Sequence, residues 1–144
     1  RITTAAGQGS MEFAGSHILS VEQFGRADIE RVFDVADSMA PYAHRRKITR
    51  VLEGAILGNM FFEPSTRTRV SFGCAFNLLG GDVRETTGIE NSAIAKGESL
   101  YDTARVISGY SDVIAMRHPV SGSVKEFAAA SRVPPHPLLA RKRE

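Results

Sequence analysis

Four consecutive residues, Ser65-Thr66-Arg67-Thr68, carry three hydroxyls and a guanidinium. They follow a short apolar run and open a stretch with helical spacing. At a helix start the N–H groups lack intrahelical partners, and the helix dipole adds partial positive charge. Hydroxyl donors and the planar fork of an arginine match the oxygens of a phosphate or carboxylate there. A plain capped helix has the same look, with Ser65 as N-cap and Arg67 in solvent. An arginine one turn into an otherwise apolar helix, just after a buried strand, weighs toward an anion site. A second arginine, Arg117, ends another apolar run and precedes His118-Pro119. Two arginines at adjacent strand ends can face one crevice. His118 has two readings, proton carrier or structural hydrogen bonder; Pro119 fixes the turn. Lys96 lies in a polar segment, Ser92-Ala93-Ile94-Ala95-Lys96-Gly97. By itself it reads as a solvated lysine, yet a loop lysine can also close over an anionic substrate and exclude water.

The elements that would carry these residues alternate. Ser20-Val21-Glu22-Gln23 has capping-box spacing. Ile29, Val32, Phe33, Ala36 and Met39 recur on one helical face, with a stop expected near Ala40 before Pro41. His44-Arg45-Arg46-Lys47 reads as a solvated basic cluster. Gly54 to Phe62 is a short apolar run with glycines, as in a buried parallel strand. Val70 to Leu79 is helical and ends at Gly80-Gly81. Asp82 to Thr87 predicts a second strand, Gly88 to Gly97 a loop and Glu98 to Tyr110 a helix. Asp112 to Met116 predicts a third strand. Ser121 to Ser131 predicts a further helix, capped by Ser121 or Ser123. Strands alternating with helices imply an α/β fold, a parallel sheet with helices on both faces in three αβα layers. In such a sheet ligands bind beyond the carboxyl ends of the strands, where both arginines fall.

Composition narrows the classes. The chain has 144 residues, 42% of them hydrophobic and 24% charged, which suits one soluble domain with its own core. A formal net charge of +2 is too small to argue for nucleic acid. One cysteine, Cys74, permits no internal disulfide. No Cys/His spacing suggests a metal, so a reducing, cytoplasmic setting is expected. No apolar run approaches the ~20 residues of a membrane helix. The G-x-x-x-x-G-K-[ST] phosphate loop is absent, which disfavours a general nucleotide binder.

Three of these motifs, in this order, resemble the aspartate and ornithine carbamoyltransferases. Phe62-Glu63-Pro64-Ser65-Thr66-Arg67-Thr68-Arg69 resembles the family signature. Lys96-Gly97-Glu98-Ser99 with Asp102-Thr103 is similar to its mobile lysine loop and the helix after it. Met116-Arg117-His118-Pro119, like Ser16-His17-Ile18-Leu19-Ser20, resembles the aspartate branch; the ornithine branch lacks this His-Pro. The resemblance implies that Ser65, Thr66, Arg67 and Thr68 bind the phosphate of carbamoyl phosphate. It implies that Thr68 and Arg117 reach the carbamoyl oxygen. Ser92 and Lys96 would act in a neighbouring subunit's site, so active sites would be shared within a homotrimer. The implied reaction joins the carbamoyl group to the amine of L-aspartate, giving N-carbamoyl-L-aspartate and phosphate in pyrimidine synthesis, with no metal or organic cofactor. A regulatory or dihydroorotase-type partner is compatible with the family; nucleic acid and membrane partners are not expected.

The resemblance covers Ser16 to Pro134, one domain of a two-domain transferase. Residues 1–15 read as a flexible leader, 16–134 as the carbamoyl-phosphate-binding domain, and 135–144 as a tail or a remnant of the connection to an aspartate-binding domain. Family chains run on about as long again and bind aspartate there, so the chain as given is expected to bind carbamoyl phosphate but turn over aspartate poorly. His136-Pro137 is either what remains of a family His-Pro-Thr-Gln-type motif, with His136 on the carbamoyl oxygen, or part of the tail. The alternatives are ornithine carbamoyltransferase and a non-catalytic phosphate-binding or assembly domain.

Overall fold

A computed structural model describes residues 11–88 and 96–131. The described residues fall into two compact units, 11–47 and 48–131. Ser92 and His136 lie outside the described residues.

In the first unit a 3-10 turn, Val21–Gln23, precedes helix α1, Arg26–Ala43. The expected capping box is present: Glu22 N–H donates to Ser20 Oγ, and Gln23 Oε1 accepts from the Ser20 N–H at 2.9 Å. Asp28, 2% exposed, accepts from Gly25 N–H (2.9 Å) and from Met11 N–H (2.7 Å). Met11 is buried and the Phe13 ring sits 5.8 Å from that of Phe24. Met11 and Phe13, expected in a loose leader, are therefore packed. Helix α1 does not stop before Pro41 but runs two residues past it. The proline sits in the last turn, where its missing N–H removes a single helical bond. Val32, Phe33 and Met39 stand exposed, so their periodicity does not mark a face buried by the described residues.

The second unit is a three-stranded parallel sheet of order β2-β1-β3, with β1 Ile56–Phe61, β2 Asp82–Thr87 and β3 Val113–Arg117. Helix α2, Thr66–Leu78, joins β1 to β2; helix α3, Leu100–Tyr110, precedes β3; helix α4, Ser123–Ala130, follows it. The side-chain period of two assigns each face of the sheet. Met60, Ile114 and Met116 pack with Ala104 and Ile107 of α3 and Phe127 and Ala130 of α4. Leu57, Val83, Val113 and Ala115 pack with Phe76 of α2. Helices thus cover both faces, as expected. Leu57 and Met60 are 2% and 1% exposed, and each contributes roughly 1.5–3 kcal/mol by leaving water.

Local signals explain the boundaries. Helix α2 ends in a Schellman pair, with Gly80 N–H on the Asn77 carbonyl and Gly81 N–H on that of Phe76, and Gly80 adopts φ +93°. Ser99 caps α3 by accepting the Asp102 N–H at 3.0 Å. Helix α4 departs from expectation. Its N-cap is neither Ser121 nor Ser123 but Gly122, in a left-handed conformation (φ 87°) that glycine adopts without strain. Ser123 becomes the first helical residue and is buried.

Candidate anion site at the strand ends

The strand order creates the site. From the central strand β1 the chain crosses to β2 on one side, then back over β1 to β3 on the other. Such a switch point leaves a crevice beyond the carboxyl ends of the strands. Phe61 pairs with Arg117, and Phe62 N–H donates to the Arg117 carbonyl at 2.9 Å. The two sequence motifs therefore meet where β1 and β3 end side by side.

Ser65 is the N-cap of α2, but its hydroxyl makes no capping bond. Instead Ser65 Oγ accepts from Arg117 Nη1 at 3.1 Å. A plain cap would use that oxygen on its own helix; here Ser65 holds the N-cap position and Arg67 is exposed, as a plain cap predicts, but the hydroxyl is turned to β3. Arg117 Nε also donates to Glu63 Oε1. The guanidinium has five N–H donors, so this pairing leaves some for a ligand. A cleft of about 370 Å³ opens here. It is lined by Phe61 to Ser65 after β1, by Thr66 and Arg69 of α2, and by Thr87 and Gly88 at the end of β2.

Ser65 and Thr66 line the cleft and Arg117 touches Ser65, as two motifs converging would require. Arg67 and Thr68 are exposed and are not among its lining residues. Helical geometry explains this, since residues three apart share a face: Thr66 and Arg69 turn together while Arg67 and Thr68 point elsewhere. Lys96 is exposed. His118 is a hydrogen bonder in this structure. Its Nδ1 accepts the Val120 N–H at 3.1 Å, which puts the proton of the neutral ring on Nε2, and its ring meets Phe62 edge-on at 5.5 Å.

Sequence reading did not single out Glu63, Arg69 and Thr87. The i, i+3 relation to Thr66 points to Arg69, and the rule that strand ends line the crevice points to Thr87. Glu63 carries no such signal, because an acidic side chain beside an anion site is recognisable only once its arginine partner is placed.

The sequence matches the aspartate/ornithine carbamoyltransferase family, carbamoyl-P binding domain, over residues 16–141. It is 85% identical over 124 residues to the aspartate carbamoyltransferase catalytic subunit of Saccharophagus degradans, covering 86% of this chain and 37% of that protein. For the same subunit from Cellvibrio japonicus, identity is 77% and the coverages are again 86% and 37%. The fold resembles the catalytic subunit of M. jannaschii aspartate transcarbamoylase, with TM-score 0.77 and 44% identity over 82% of this chain and 40% of that one. It also resembles aspartate transcarbamoylase from Trypanosoma cruzi in complex with carbamoyl phosphate and aspartate, with TM-score 0.76 and 40% identity over 83% and 39%. The chain thus spans less than half the length of these relatives. With its motifs meeting at one switch point and its sequence matching over that span, the chain belongs to the aspartate/ornithine carbamoyltransferase family, within the carbamoyl-phosphate-binding domain.

Proposed function

We propose that the chain supplies the carbamoyl phosphate site of an aspartate carbamoyltransferase. The observation that carries this reading is the bond from Arg117 Nη1 to Ser65 Oγ, which joins the end of β3 to a residue of the cleft wall at the start of α2. The phosphate docks on the first-turn amides of α2 and on the hydroxyls of Ser65, Thr66 and Thr68. Arg67 turns on its long side chain to add a bidentate fork. Arg117 and Thr68 face the carbamoyl oxygen.

The amine of L-aspartate then attacks the carbamoyl carbon, the C–O bond to phosphate breaks, and the amine loses a proton. Negative charge grows on the carbonyl oxygen and on the departing phosphate. Fixed donors stabilise both, as in an oxyanion hole, and holding two anionic substrates together lowers the barrier further. The products are N-carbamoyl-L-aspartate and phosphate, a step of pyrimidine synthesis. The relatives' activity as aspartate carbamoyltransferases and the Trypanosoma cruzi complex with carbamoyl phosphate and aspartate support this substrate pair. By the same resemblance Ser92 and Lys96 serve a neighbouring subunit's site in a homotrimer, and His136 either contacts the carbamoyl oxygen or belongs to the tail. A cytoplasmic setting is inferred from the same assignment.

Calorimetric titration of the chain with carbamoyl phosphate, then of Arg67→Ala, tests the site. A lost charged hydrogen bond of about 1.5–3 kcal/mol weakens binding roughly 10- to 150-fold. Undiminished affinity in the variant would place the phosphate elsewhere.

A further inference from the structure

A polar cluster lies between β1 and α2 that the chemistry above leaves unused. Asn59, at 0% exposure, stands in the middle of β1. Its Nδ2 donates to the Arg69 carbonyl at 2.9 Å and to Glu85 Oε1 on β2 at 3.2 Å. The other carboxylate oxygen, Glu85 Oε2, accepts from Arg69 Nη1. Arg69 is thereby held by its main chain and by its side chain, one turn into α2 and on the cleft wall.

Two features argue that this cluster orients the helix and is not core filling. Asn59 Oδ1 is buried with no hydrogen-bond partner. An orphaned buried acceptor is costly, so an aliphatic residue of similar size would suit the core better. What the asparagine adds is its pair of directed donors. The second feature is how α2 meets the sheet. Its C-terminal half is anchored by Phe76 in the apolar core, whereas Val70 and Phe72 are 44% and 52% exposed. Gly73 is buried, and a side-chain carbon there would face Glu85 Oε1, Asn59 Nδ2 and Val83. The first half of α2 thus approaches the sheet through polar, directional contacts.

Resting on the carbamoyl phosphate reading, we propose that Asn59 and Glu85 are positioning residues. They set the rotation of the first turn of α2, so that its free amides and Thr66 face the cleft, and they hold the Arg69 cation in the cleft wall. Neither touches the ligand.

The test compares the chain with Asn59→Leu, Glu85→Ala, Asn59→Asp and the double variant Asn59→Asp/Glu85→Gln. It reads thermal unfolding, residue-by-residue amide exchange along α2, and affinity for carbamoyl phosphate. Asn59→Leu and Glu85→Ala keep a cooperative transition. They exchange the Arg69 and Val70 amides about tenfold faster, leave Phe76 to Leu79 unchanged, and bind the ligand about tenfold more weakly. Asn59→Asp loses more, because its carboxylate faces the Arg69 carbonyl and Glu85; removing the Glu85 charge in the double variant restores part of the affinity. If Asn59→Leu does not fold, Glu85→Ala decides alone, since that side chain is 38% exposed and its loss spares the core. A folded Glu85→Ala with unchanged affinity and α2 exchange overturns the proposal. Absence of binding by the unaltered chain refutes the site itself, whereas binding with indifferent variants refutes only the positioning network.

Discussion

Glu63 sits where its negative charge opposes the anion proposed for the cleft. Its carboxylate accepts from Arg117 Nε while the same guanidinium donates to Ser65. Carbamoyl phosphate that offers its carbonyl oxygen to the remaining Arg117 donors brings the two negative charges of its phosphate to within roughly 6 Å of Glu63. At an effective dielectric constant between roughly 40 and 80, that repulsion is about 1.5–3 kcal/mol. Glu63→Gln removes it and keeps an acceptor for Arg117. Against this stands the lost ion pair; Arg117 is half exposed, and such pairs contribute only about 0.2–1 kcal/mol. Repulsion wins by roughly 1–2 kcal/mol, so Glu63→Gln should bind carbamoyl phosphate about 5- to 30-fold more tightly at low ionic strength. The gain should shrink in added salt as screening shortens to a few ångströms. Titration calorimetry at two salt concentrations measures both effects. Glu53→Gln is the control, because Glu53 pairs with Arg50 on the surface. Equal or weaker binding by Glu63→Gln at low salt would show that the ligand does not engage Arg117.

Gly81→Ala should destabilise the chain by about 1–3 kcal/mol, as overpacking does: an added carbon meets the Phe76 ring at 2.2 Å, and chemical denaturation reads the loss. Ser99→Ala removes the cap of α3 and should cost about 0.5–2 kcal/mol in the same assay. Burial lowers the pKa of His17 from its ordinary 6.5, so the unfolded chain binds the proton more readily. Stability therefore falls as pH drops through 6.5 and levels off below the folded value; amide exchange at Leu19 and Ser20, whose N–H groups bond Gln23, should quicken over that range, and His17→Gln should flatten the response.

How far these residues could be read without coordinates depended on how local their physics is. Asp82–Thr87 is legible because a Gly-Gly helix stop precedes it and a polar, glycine-bounded stretch follows; the observed strand has those bounds. The capping box at Ser20 is legible because it rests on groups two or three residues apart, whereas the helix expected from Glu98 begins at Leu100 behind a Ser99 cap. The start of α4 was misread since two serines flank a glycine, and only the backbone angle of Gly122 shows which residue turns the chain. The apolar stripe of α1 shows a different limit: spacing reveals a face fit for burial but not whether anything covers it. At the site, motif order puts Arg117 and the Ser65 turn at adjacent strand ends, as observed, but it pairs Arg117 with Arg67 and not with the Ser65 hydroxyl that it meets. It did not show that Arg69 would wall the cleft while Arg67 stands exposed, because both arginines fit the same anion chemistry and only the phase of the helix on the sheet separates them. That phase depends on contacts distant in sequence, between Asn59, Glu85 and Arg69. Asn59 is the one polar side chain in the run Gly54 to Phe62, a signal the sequence reading left unused. A buried amide there has to donate to something, and the start of the following helix is the nearest element with a carbonyl to offer.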